Sequence, residues 1–100
     1  MPEHPLASMM KLDPKLDAHL KECDQFVFGE GVLPKKTKYL IALAFDAAHG
    51  AANGVRALAQ NAVREGATKE EIAETLRVAG HLAGVGSLYT ASQGLKDLFA

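Results

Sequence analysis

One hundred residues make a single domain, and a domain this small leaves a large share of its surface exposed unless it associates. Eleven basic against twelve acidic residues give a net charge of −1 with no basic block, so the phosphate-neutralising force behind nucleic-acid binding is missing and no nucleic-acid partner is expected. An apolar content of 48%, in helical patterns, suits packing between subunits as well as within one, and a homo-oligomer is expected.

Residues 1–12 read as an irregular N-terminal arm. Pro2 and Pro5 discourage a helix, His4 looks like an arm residue, and Met9, Met10 and Leu12 are available to pack on something. The early prolines, a glutamate and the lack of a long apolar core do not make a signal peptide, and cytoplasmic placement is the default. Residues 13–100 read as one helical domain. Asp13 is an N-cap candidate followed by Pro14 at the first helical position, and the helix it starts runs to about Phe28. Leu16, Leu20, Phe26 and Val27 supply its buried side, and His19 lies on its surface. Gly29, Gly31 and Pro34 then mark a connection without phosphate-binding spacing.

A second helix is expected from Pro34 to His49. Its apolar run, Tyr39 to Ala48, is interrupted by Asp46 and falls well short of the ~20 residues needed to span a bilayer, so no membrane partner is expected. Gly50 and Gly54 weaken the chain there, each costing about 1 kcal/mol relative to alanine inside a helix. The third helix covers about Ala51 to Glu65, with Gly66 as its C-terminal cap. Thr68 caps a fourth, and Glu71 completes a capping box. Ile72, Leu76, Ala79 and Leu82 form its apolar stripe up to the Gly84-Val85-Gly86 interruption. A last helix, Ser87 to Phe99, presents Leu88, Ala91, Leu95, Leu98 and Phe99. No stretch alternates like a strand, so the fold is expected to be all-α with about five helices.

Chemistry is best sought at the break after His49. Asp46 and His49 are three residues apart and can meet on one helix face, where a carboxylate would fix the imidazole tautomer and raise its basicity for general-base work. The competing account is structural: a histidine in the last turn before glycine caps the helix and answers its dipole. Tyr39 lies seven residues before Asp46 on the same stripe, with His49 about 60° around from it. Cys23 cannot form an intrachain disulfide, being the only cysteine, and its neighbours Glu22 and Asp24 would disfavour a thiolate. His81, in AGHLAG, is either a hydrogen-bonded structural residue or part of a substrate site with Arg56. Arg56 and Arg77 suit anionic substrates, yet such residues more often form subunit salt bridges or stay solvated. The spacing of the histidines and Asp46 matches no metal motif, and neither a metal nor a cofactor is expected.

From Thr37 through Val85 the sequence resembles the carboxymuconolactone decarboxylase and alkylhydroperoxidase-D-like proteins. The matching stretches are PKKTKYLIALA leading into HGAANG, then NAVREGATKEEIAETL, then HLAGVGSLYTA. The resemblance implies an alkylhydroperoxidase-D-like helical bundle assembling as trimers or hexamers, with active sites near subunit contacts, and links the chain to peroxiredoxin-type oxidoreductase activity. Redox members carry a Cys-x-x-Cys, a histidine four residues after it and a glutamate twelve before it, and these positions fall here on Ala51, Gly54, Leu58 and Tyr39. All four functional groups are absent. Decarboxylase members keep the histidine that is Leu58 here, so the chain departs from that pattern as well. The resemblance puts His49 at the rim of the family's active cleft and brings the His81 helix against the central pair. A dithiol peroxidase needs a low-pKa thiolate beside a resolving thiol, and that mechanism is not expected. What stays open is whether the chain is an enzyme at all: a cofactor-free lyase or decarboxylase on a small lactone or carbonyl acid, using His49, Asp46 and Tyr39, or a noncatalytic oligomer that binds a small ligand.

Overall fold

The computed structural model describes residues 6–99, and within them the chain is all-helical. Six helices follow one another: α1 (Ala7–Leu12), α2 (Pro14–Phe28), α3 (Lys35–Ala48), α4 (Ala52–Arg64), α5 (Lys69–Ala83) and α6 (Gly86–Gly94). The additional helix is α1, inside the stretch expected to be an irregular arm, of which residues 1–5 lie outside the described residues. Pro2 and Pro5 both precede α1, so neither removes a hydrogen bond from it.

Local signals set the boundaries. The Asp13 side chain accepts the Leu16 N–H at 3.1 Å, and Pro14 needs no partner at the first position of α2. Thr68 and Glu71 form the complete reciprocal capping box at the start of α5, at 3.1 and 2.9 Å. Gly50 follows α3 with φ +80°, the Ala51 N–H reaches the Asp46 carbonyl at 2.9 Å, and the Gly50 N–H reaches Ala47 at 3.3 Å. That is a Schellman closure, and Gly66 repeats it after α4 with Ala67 donating to Ala62. Gly50 is thus a left-handed stop rather than a weakened helical position.

The core is made by α3, α4, α5 and α6. Leu43 and Ala47 from α3, Val55, Ala59 and Ala62 from α4, Ile72 and Leu76 from α5 and Ala91 from α6 are buried together. Small residues let the backbones approach. A β-carbon on Gly94 would lie 2.6 Å from the Ala52 carbonyl oxygen and 2.8 Å from Val55 Cβ, so α6 crosses α4 at that point only because residue 94 has no side chain. The last helix ends at Gly94 rather than Phe99, and the chain continues in turns that still bring Leu95 and Leu98 onto the core.

The α1–α2 hairpin stands apart from this core. No side chain of either helix is buried, and the expected buried side of α2 is largely exposed, with Phe26 at 86%. Its anchorage is at the C-terminal end, where Phe28 stacks on Tyr39 with ring centroids 4.9 Å apart. There the Lys38 ammonium also donates to the Val27 and Gly29 carbonyls at 2.8 and 2.9 Å.

Candidate functional site

The three-residue link His49-Gly50-Ala51 folds α4 back along α3, so the last turn of α3 lies beside the first turn of α4. Asp46 sits in the former and Gly54 in the latter. A β-carbon on residue 54 would lie 2.8 Å from Asp46 Cγ and closer still to Oδ2, whereas Asp46 Cβ is at an ordinary 3.4 Å. The Asp46 carboxylate therefore occupies the space a side chain at position 54 would fill. No side chain caps α4 at Ala51, so its first turn keeps orphan N–H donors, and a carboxylate held beside Gly54 in that turn is favoured by the helix dipole. Asp46 is half-buried, among the described residues no hydrogen bond or ion pair engages its side chain, and its carboxylate oxygens stay open to solvent.

The other expected site residues go elsewhere. Asp46 and His49 do not hydrogen-bond: Asp46 turns toward α4, while the exposed His49 ring lies 6.1 Å from that of Phe45, one helical turn back. His49 is the C-cap residue of α3; its N–H still reaches the Phe45 carbonyl at 2.9 Å, and its ring lies beside Phe45 rather than Asp46. Tyr39 is half-buried against Phe28 and the core, two turns from Asp46. Arg56 donates to the Lys96 carbonyl, which ties α4 to the C-terminal turns. His81 is exposed in the last turn of α5, and its neighbour Leu82, expected in the apolar stripe, is 78% exposed. Cys23 is exposed on α2. Of the expected residues, only Asp46 meets the α4 helix start.

Ala51 and Gly54 do fall at that start, as the N-cap and the third residue of α4, and Leu58 one turn further packs on the core. A family model, the carboxymuconolactone decarboxylase family, matches residues 13–97. The chain belongs to the carboxymuconolactone decarboxylase family. The fold agrees: the crystal structure of an apo carboxymuconolactone decarboxylase family protein from Legionella pneumophila superposes with a TM-score of 0.81 at 35% identity. That match covers 91% of this chain and 81% of the other. No curated protein matches the chain in sequence.

Within this carboxymuconolactone decarboxylase fold, Gly54 gains a role that hydropathy does not reveal. Its sequence signal is glycine at the third position of an amphipathic helix, eight residues after an aspartate that interrupts an apolar run. The two are joined only once the turn is closed. Among the described residues no cluster of three or more His, Cys, Asp or Glu side chains is arranged to hold a metal ion, and no helix is long and apolar enough to cross a membrane.

Proposed function

We propose that this carboxymuconolactone decarboxylase family member is a cytoplasmic, homo-oligomeric, cofactor-free acid–base catalyst acting on a small lactone or carbonyl acid, with Asp46 as the proton-transferring group. One observation carries the reading: an unpaired, half-buried carboxylate seated against Gly54 over the uncapped first turn of α4. Asp46 takes a proton from carbon α to a carbonyl. The C–H electron pair enters the carbonyl as an enolate, and the proton is returned to complete an isomerisation. Where the substrate instead loses CO2, the breaking C–C bond supplies the enolate electrons and protonated Asp46 quenches the carbanion. In this reading the orphan N–H groups of α4 receive the developing oxyanion. His49 flanks the site from the α3 end and is not needed as the base.

The family's peroxide chemistry is not part of this reading, because the positions of its two thiols hold Ala51 and Gly54 and the one thiol present is on α2, a different element. The test is deuterium exchange into small lactone and β-keto acids in D2O, followed by proton NMR. Asp46→Asn is expected to slow exchange by about 10²–10⁴-fold, the usual worth of a positioned acid or base. Exchange at the wild-type rate in Asp46→Asn refutes the assignment, and so does dithiol-driven peroxide reduction that is lost in Cys23→Ser. A ligand-binding oligomer is the second reading, favoured by the two concavities described below and at the Gly29–Lys35 loop, neither of which reaches Asp46. Binding of those acids without exchange supports it.

A further inference from the structure

Two apolar surfaces of the chain are exposed. Between α1 and α2 lies an open groove of about 690 Å³, floored by Leu6, Met9, Met10, Leu16 and Leu20. On its rim Lys21 pairs with Asp17 at 3.1 Å, whereas Asp24 has no partner among the described residues. The other surface lies at the end of α5 and the start of α6: Val78 and Leu82, one turn apart on α5, are 55 and 78% exposed, and beyond the Gly84 turn Val85 and Tyr89 are 65 and 74% exposed. Arg77 and His81 flank them, and Arg77 is likewise without a partner among the described residues.

Neither surface is accounted for by the isolated chain. It exposes 7235 Å², whereas surface scaling gives about 5,500 Å² for a folded monomer of 10.6 kDa. The excess is above the ~800 Å² that each partner gives up in a standard interface. The hairpin also lacks the apolar burial that offsets backbone ordering, about 1–2 kcal/mol per residue.

We propose that the α1–α2 groove of one chain is the socket for the α5–α6 ridge of a second copy. Apolar groove meets apolar ridge, and the free carboxylate at the groove meets the free guanidinium at the ridge. A contact between two different patches is heterologous, so each chain both gives and receives, and the assembly is a ring where the rotation between copies closes. This rests on the homo-oligomer part of the preceding reading and is independent of the role given to Asp46.

The test is sedimentation of the full chain with Leu20→Asp in the groove and Leu82→Asp on the ridge. Leu20 is 46% and Leu82 78% exposed, and far-UV circular dichroism checks that the helices persist. Each variant alone is expected to run as a monomer. An equimolar mixture retains one intact groove and one intact ridge and is expected to form a 1:1 dimer and nothing larger. Asp24→Arg and Arg77→Glu should each weaken association at least tenfold, and their combination in one chain should restore it. A monomeric wild type overturns the oligomer itself. A wild-type oligomer that survives either aspartate substitution, or a mixture that stays monomeric, overturns only this placement of the contact.

Discussion

Gly54→Ala is the perturbation that isolates the contact between Asp46 and α4. In a helix, alanine is favoured over glycine by up to about 1 kcal/mol. Here the new methyl would sit 2.8 Å from Asp46 Cγ, and since Asp46 Cβ is at 3.4 Å, rotation of the carboxylate alone relieves the overlap. That rotation gives up the charge–dipole interaction at the α4 start, about 0.3–1 kcal/mol. It also drives Asp46 toward a poorer rotamer at about 0.5–1.5 kcal/mol. The net effect in the wild-type background lies between roughly zero and 1.5 kcal/mol destabilising, once the ~1 kcal/mol propensity gain is subtracted. In an Asp46→Ala background the obstacle is gone and the same substitution should stabilise. The two positions are therefore expected to couple by about 1–2 kcal/mol, well above the few tenths that independent sites show. Urea unfolding followed by far-UV circular dichroism measures all four variants, at one chain concentration because association adds to apparent stability. An effect of Gly54→Ala that is the same in both backgrounds would refute the geometry on which the functional reading stands.

Two further outcomes are expected. Gly94→Ala places a methyl 2.6 Å from a backbone oxygen of α4, which cannot rotate away, so α6 must withdraw. The loss should be about 1–3 kcal/mol, read as a fall in Tm of about 4–8 °C per kcal/mol, and an unchanged Tm would show that the helices do not cross there. Glu71 is held below the ordinary glutamate value of 4.5, first because it accepts the Thr68 backbone N–H and then through Lys36, 2.9 Å away on α3. A depressed carboxyl means that the unfolded chain takes up the proton first, so the stability contribution is present above about 4.5 and lost as pH falls through the folded value. The wild type should lose stability more steeply than Glu71→Gln below that pH, and parallel acid-unfolding curves would contradict the assignment.

What could be read from the sequence was what neighbouring residues decide. Asp13-Pro14, the Thr68–Glu71 box and Gly66 each act within four positions, and all three end or begin a helix where expected. The apolar stripe of α5 was legible through Ile72, Leu76 and Ala79, because a 3.6 period with a capped start fixes one face. It failed at Leu82, and α2 failed at Leu20, Phe26 and Val27, for one reason: periodicity says that a face is apolar and does not say what covers it. The His49–Asp46 pairing failed differently. Spacing of three permits a contact without requiring it: the His49 ring lies by Phe45, and the Asp46 carboxylate lies beside Gly54. The Asp46–Gly54 contact spans the Gly50 turn, so it belongs to the hairpin and to neither helix pattern.

Position 54 thus holds a functional group in space without having one in sequence, and a thiol introduced there would meet that group. Ala51→Cys combined with Gly54→Cys would recreate the Cys-x-x-Cys spacing, but the second thiol would arrive against the Asp46 carboxylate. A neighbouring negative charge disfavours a thiolate, whereas a helix start favours one. The two influences oppose each other in the double variant, and removing Asp46 leaves only the second. Thiol ionisation, followed by thiolate absorbance in a Cys23→Ser background, should therefore occur at lower pH in the variant that also carries Asp46→Ala than in the one that keeps Asp46. Coincident titrations would mean that the carboxylate does not face position 54, and with that the proposed proton transfer at the α4 start would lose its base.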